Sequence, residues 1–300
     1  MNAEDARGKL DGRLGISTFS FVLRLNPKFS TFRKKKLSLK VTDYITKLLS
    51  YEVYSFSLDE LMKSSFKSKE ALQSELRRLV AKGEIVNLRK GFYLILPPRY
   101  RSFGQLPLEL FVEKLFEYLK KPYYVACLSA AKFHGAAHQQ VQQDFIVTEL
   151  PAVRDIEKPI RLNFVSSTHW PTSNIEKRKS EAGYFNLSSP ALTALDLIHY
   201  QSTLGGLNKL FTVLEELSEE ITPYDLQDIL AWYPYKSALQ RLGYLLDQFE
   251  TSSELTHPIY EKLRAQGYYP TLLDPRKGQK AGATGNRWKI DANLHLESDL

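Results

Sequence analysis

The stretch "LRRLVAKGEIVNLRKGFYLIL", Leu76 to Leu96, holds the end of a helix, a strand, a turn and a second strand. Leu76, Leu79 and Val80 continue an apolar face begun at Leu72, and Gly83 supplies a helix stop. "EIVNL" and "GFYLIL" are rich in strand formers and alternate in polarity, with the turn Arg89-Lys90-Gly91 between them. Two cations at the tip of a hairpin, just after a helix carrying Arg77 and Arg78, call for either a solubility role or a binding role.

Upstream, "SKEALQSELRRLVAKG" begins with Ser68 as a capping residue and keeps Lys69, Gln73, Arg77 and the outward part of Arg78 off the apolar face. Before it, "FSLDELMKSS" has Ser57 as a cap and Asp59 and Glu60 in the first turn, where the helix dipole favours anions. "VTDYITKLLS" places Val41, Tyr44, Ile45, Leu48 and Leu49 at helical spacing. Helix, short helix, helix and hairpin is the order of a winged helix-turn-helix, expected over residues 38–103, with the hairpin as the wing.

Charge supports a binding role for this module. Residues 33–101 hold 16 Lys/Arg against 7 Asp/Glu, whereas residues 102–300 hold 20 against 24. Uniform solubilising charge would not segregate in this way, and a basic module joined to an acidic one points to a polyanion-binding domain beside a domain with another task. Residues 1–37 read as a basic, poorly ordered N-terminal arm ending in Arg33-Lys34-Lys35-Lys36. No apolar run approaches the roughly 18–20 residues needed to cross a bilayer. Glu4, Asp5 and Asp11 precede any apolar stretch, unlike a signal peptide, and the single cysteine, Cys127, leaves no internal disulfide framework; a cytoplasmic location is expected.

After the linker-like "PPRYRSFGQLP", residues 104–300 read as a larger α+β domain. "LELFVEKLFEYLKK" is an amphipathic helix, and "DFIVTEL" and "PIRLNFVSS" carry strand patterns. "SSPALTALDLIHY" opens a helix with Ser189 as cap and Pro190 at the first helical position. "GGLNKLFTVLEELSE", "PYDLQDILAWY", "SALQRLGYLLDQF" and "PIYEKLRAQG" are further helices, and "NRWKIDANLHL" is a terminal strand. The fold class is therefore α+β, a winged helix-turn-helix followed by an α+β domain with a helical C-terminal half.

Catalytic chemistry finds little support. His134 and His138 have the i, i+4 spacing of a zinc pair, but the glutamate of the protease motif and a third ligand are missing. Cys127 and Ser129 lie near His134 without a G-x-S-x-G elbow, and Cys127 stands in an apolar run that reads as core. "GQKAGATGN" lacks the strand-then-helix frame of a phosphate loop and reads as a surface loop. No catalytic residue, metal or cofactor is assigned.

The basic module offers a better site. A helix end in a major groove presents its N-terminal side chains to base edges. Lys67, Ser68, Lys69 and Gln73 stand at that end, with Gln73 suited to reading adenine. Lys69, Arg77 and Lys67 would hold phosphates or a guanine, Arg89 and Lys90 the backbone or a minor groove, and Arg99 and Arg101 would extend the contact. The competing reading is a solvated helix face and a charged turn.

With these segments in order, the chain resembles AbiEi-type antitoxins, the antitoxin half of abortive-infection toxin–antitoxin pairs. The resemblance rests on "LRRLVAKGEIVNLRKGFYLI", "YYVACLSAAKFHGAAHQ", "EAGYFNLSSPALTALDLIHY", the Gly-Gly of "LGGLNKL" and "QRLGYLLD", and runs from about Leu39 to the C-terminus. It implies a repressor whose winged helix binds inverted repeats in double-stranded DNA of its own promoter. The C-terminal domain would supply antitoxicity and support cooperative binding on DNA. The implied partner is a nucleotidyltransferase-like toxin, opposed without a stable complex in the type IV arrangement. Two alternatives stand beside it: a C-terminal enzyme that modifies the toxin or a nucleotide, around Ser129, His134 and His138, and a protein-binding adaptor.

Overall fold

The structure, a computed structural model, describes residues 40–136, 143–158, 160–277, 281–282 and 284–296. The basic arm expected at 1–37, His138 and part of "GQKAGATGN" lie outside these residues.

Helix α1 (Val41–Leu49) buries Val41, Tyr44 and Ile45, as its spacing requires. A three-residue strand, β1 (Ser55–Ser57), precedes α2 (Leu58–Ser64). Ser57 caps α2 in a full capping box, its hydroxyl accepting from Glu60 N while Glu60 Oε2 accepts from Ser57 N. Ser68 caps α3 (Lys69–Ala81) by accepting from Ala71 N. Leu72, Leu76 and Leu79 face inward, but Val80, expected with them, is 38% exposed at the edge of the face. Gly83, at φ +67°, turns the chain into β2 (Ile85–Arg89) and β3 (Phe92–Ile95). The hairpin gains a third strand because β1 pairs antiparallel with β3, Phe56 opposite Tyr93. Phe56 stacks on Tyr93 at 5.5 Å between ring centres and meets Tyr44 edge-on.

The linker expected after Pro97 is partly ordered. It holds a single helical turn, α4 (Pro98–Arg101), and buries Leu106. The amphipathic segment at Leu108 divides into a 3-10 turn (Leu108–Leu110) and α5 (Val112–Leu119), because Phe111 leaves helical geometry at φ −141°. Then come β4 (Tyr123–Val125), α6 (Cys127–Phe133), β5 (Asp144–Glu149) and β6 (Leu162–Ser167). The hairpin β7 (Ile175–Ser180) and β8 (Gly183–Ser188), not foreseen in the sequence, completes a mixed five-stranded sheet in the order β6-β5-β4-β8-β7. β4 pairs antiparallel with β5 and parallel with β8.

Helices α7 (Pro190–His199), α8 (Leu207–Glu220), α9 (Pro223–Trp232), α10 (Lys236–Gln248) and α11 (Ser253–Gln266) cover one face of this sheet. Ser189 caps α7 with Pro190 at its first position. Helix α11 starts five residues before the expected "PIYEKLRAQG", so Pro258 falls inside its first turns. Only the bond to the Glu254 carbonyl is lost there. The terminal strand expected over "NRWKIDANLHL" shrinks to β10 (Ile290–Asp291), paired parallel with β9 (Thr271–Leu272).

The C-terminal segment explains two glycines. Trp288 is buried against Gly243 of α10, where a Cβ would collide with the indole, and its Nε1 donates to Asp247 Oδ2 at 2.5 Å. The Arg276 guanidinium lies against Gly206, at φ +100°, bonding the Gly205 carbonyl and Asp274. Gly243→Ala is expected to cost about 1–3 kcal/mol by overpacking the indole. A urea-unfolding midpoint equal to that of the wild type would contradict this close approach.

Asp196 of α7 lies in the same core beside Tyr124, Tyr200, Tyr233 and Cys127, and its Oδ2 has no hydrogen-bond partner. Burial pushes its carboxyl up to about 8, a hydrogen bond from Tyr124 opposing the shift in part. The native state therefore holds a proton that the unfolded chain releases near pH 4. Stability from this group is full at low pH and falls as pH rises from about 4 to 8. Burial also raises Asp144 to about 6, so it adds to the fall over the lower part of that range. Asp196→Asn is expected to flatten the loss by a few kcal/mol, at about 1.4 kcal/mol per pKa unit. Identical slopes for variant and wild type, in urea melts from pH 5 to 9, would place Asp196 in contact with water.

Candidate nucleic-acid interface

Residues 40–101 carry 12 Lys/Arg against 7 Asp/Glu, and the cations fall into two classes. Lys69, Gln73 and Arg77 are four residues apart on α3 and share one stripe of its surface. Lys69 and Arg77 are exposed and Gln73 is half-buried. Arg78, one position further round, is also exposed. Arg77 also lies within electrostatic reach of Tyr93, whose phenol is raised by burial and lowered by that charge.

Other expected contacts are engaged inside the protein. Lys67 pairs with Glu75 of α3, whose carboxyl it holds below the usual range, while Glu75 Oε2 accepts from Val41 N at 3.4 Å. Lys67 thus ties the α2–α3 turn to the start of α1 more than it faces outward. Ser68 uses its oxygen lone pair on Ala71 N as the cap. Arg99 pairs with Glu181 in the β7–β8 turn and donates to Tyr54 Oη at 3.3 Å. Both members of the pair are about half exposed, so it locates α4 without adding much stability. Arg101 Nε donates to the Leu96 carbonyl at 3.1 Å. Lys67, Arg99 and Arg101 were expected as nucleic-acid contacts. Their side chains bond neighbouring elements, while Arg99 and Arg101 remain exposed.

The hairpin tip is a two-residue turn, since Arg89 pairs with Phe92 across Lys90 and Gly91. Gly91 at φ +80° is the position that requires glycine. Lys90 is exposed. Arg89 is half-buried, and its Nη1 is sealed from solvent without a hydrogen-bond partner. One side chain that the sequence reading missed frames the tip: Tyr118 of α5, which donates to the Lys90 carbonyl. Nothing in sequence order links Tyr118 to position 90.

The groups considered for catalysis are held in structural bonds. His134 Nε2 meets the Ser188 carbonyl at 2.7 Å, and Ser129 Oγ donates to Asp144 Oδ1 and accepts from Phe145 N. Cys127 is fully buried and burial raises its thiol, which keeps it protonated and unreactive. Among the described residues no cluster of His, Cys, Asp and Glu has metal-site geometry, and no helix is long and apolar enough to cross a membrane.

Residues 124–248 match the family of the AbiEi antitoxin C-terminal domain. No curated protein matches the chain. Among solved structures, the crystal structure of RV2827C protein from Mycobacterium tuberculosis is similar, with a TM-score of 0.58 and 16% sequence identity over 83% of this chain and 90% of that one. At that identity the likeness concerns the fold alone. The family match runs from Tyr124 in β4 to Gln248 at the end of α10 and takes in the sheet core, the Asp196 helix and both constrained glycines. On this match residues 124–248 are similar to the C-terminal domain of AbiEi antitoxins, which supports a role in a toxin–antitoxin system.

Proposed function

We propose that this protein is the antitoxin of a toxin–antitoxin system and also a DNA-binding repressor of its own operon. In this reading residues 38–103 are a winged helix-turn-helix, α2 and α3 its turn unit and β2–β3 its wing, with residues 104–300 as the antitoxin domain and residues 1–37 as a basic arm. The observation that carries it is the stripe on α3 of exposed Lys69 and Arg77 with half-buried Gln73 between them, together with exposed Lys90 and half-buried Arg89 at the hairpin tip. A polar side chain between two cations on one helix face suits a base edge flanked by phosphates. The targets are inverted repeats in double-stranded promoter DNA, where self-association would favour cooperative occupancy. The toxin opposed is nucleotidyltransferase-like, and its neutralisation proceeds without a stable complex. This is the role of a regulator with no catalytic residue, metal or cofactor of its own, acting in the cytoplasm.

Binding to duplex from the chain's own upstream region should fall by several decades as salt rises, with a footprint over an inverted repeat. No preference over random duplex at physiological salt would end the DNA reading, and a tight complex with the toxin on a sizing column would favour an adaptor. Gln73→Ala should relax base preference at one position by about 1–3 kcal/mol, while Arg89→Ala with Lys90→Ala should weaken all sequences alike and lower the salt slope by about 2. Equal, sequence-blind losses from both variants would refute this division of roles.

A further inference from the structure

The turn Lys90–Gly91 presents two carbonyls, and each meets a donor from a different part of the chain. The Gly91 carbonyl accepts from Leu58 N, the first amide of α2, at 2.8 Å. The Lys90 carbonyl accepts from Tyr118 Oη of α5 at 2.9 Å. The Tyr118 ring also lies on Phe92, with 5.2 Å between centres, and a Cβ at Gly91 would come within 3.1 Å of Tyr118 Oη. Tyr118 is 37% exposed, so its ring covers the turn from the solvent side instead of belonging to the core.

Helix α5 is itself immobilised on the five-stranded sheet. Val112, Leu115 and Phe116 are buried, and Phe116 stacks on Tyr123 of β4 at 4.4 Å. The chain of contacts from β4 through Phe116 and α5 to Tyr118 and the hairpin tip is continuous. A short hairpin alone is marginally stable in water, and its tip is the part with fewest restraints. Here the tip backbone is pinned on both sides, while the Lys90 side chain stays exposed.

We infer that Tyr118 is a positioning residue for DNA reading: it holds the hairpin tip so that Arg89 and Lys90 meet the phosphate backbone in one register. This inference rests on the proposed DNA binding. It makes the helix that leads into the antitoxin domain a working part of the DNA reader. Ordering the tip before contact removes an entropy cost that binding would otherwise carry.

The test uses the full chain and labelled duplex from its own upstream region, with the wild type, Tyr118→Phe, Tyr118→Ala, Lys90→Ala and the double variant Tyr118→Ala/Lys90→Ala. Tyr118→Ala is expected to weaken binding about threefold to tenfold, the scale of one hydrogen bond and its packing. It should lower the salt slope by about 1. The double variant should lose less than the product of the two single losses, and Tyr118→Phe should show a smaller loss with an unchanged thermal midpoint. Hydrogen exchange over residues 85–96, measured without DNA, should quicken in Tyr118→Ala and Tyr118→Phe.

Wild-type affinity in Tyr118→Ala, or losses that multiply with that of Lys90→Ala, would overturn the inference. If the wild type itself does not bind duplex, the DNA reading fails. The exchange measurement then decides the rest: unchanged protection in Tyr118→Phe overturns the positioning role, and faster exchange upholds the clamp on the tip.

Discussion

Strand β4 is three residues long and buried on both faces, and the rest of the fold is arranged about it. Tyr124 points into the helical core with Phe145, Val147, Leu195 and Trp288, while Tyr123 and Val125 point the other way, toward Phe116, Ile146, Phe185 and Leu187. A strand in the centre of a sheet with both faces covered can hold no charged side chain, which is why "YYVAC" contains none. Helices α7–α11 complete one core, and α5 with the hairpin completes the other. That second core also takes in Tyr54, Leu88, Phe92 and Leu94, so the three-stranded sheet and the five-stranded sheet share apolar contacts across the segment around residue 103. Burial of this kind contributes roughly 25 cal/mol for each Å² of apolar surface removed from water, and none of it survives if the two sheets part.

This shared core bears on the proposed DNA reading. A reader on a free linker would move independently of what the larger domain does. Here α4 is held by the Arg99–Glu181 pair at the β7–β8 turn, and the hairpin tip is held by Tyr118. A partner that displaces α5 acts on the contact that holds the tip, and one that displaces the β7–β8 hairpin acts on α4. The buried, protonated Asp196 belongs to the opposite core and is a cost to stability above neutral pH. Tyr233 Oη, near Asp196, likewise lacks a partner.

Local signals were legible wherever one segment supplies its own physics. The caps at Ser57, Ser68 and Ser189, the stop at Gly83 and the inward faces of α1, α3 and α7 rest on spacings of one to four residues. The strand β1 escaped because three residues cannot display a period, and it forms only because β3 offers an unpaired edge. The β7–β8 hairpin escaped because "IEKRKS" reads as a charged tract. It becomes a strand as the sheet edge, where exposed charge is tolerated and discourages further pairing.

The sequence alone determined the class of the fold, the position of the basic module and its stripe of Lys69, Gln73 and Arg77. Helix periodicity and charge counts need no partner to be read. Only the tertiary structure decided which cations bond acceptors within the chain. Lys67, Arg99 and Arg101 look equivalent to Lys69 and Lys90 in the chain, but acceptors at Glu75, Glu181 and the Leu96 carbonyl claim them. The same holds for Tyr118, which lies 28 residues from the carbonyl it meets. Contacts over such distances depend on how α5 packs against the sheet, and packing is a property of the assembled cores, not of any one segment.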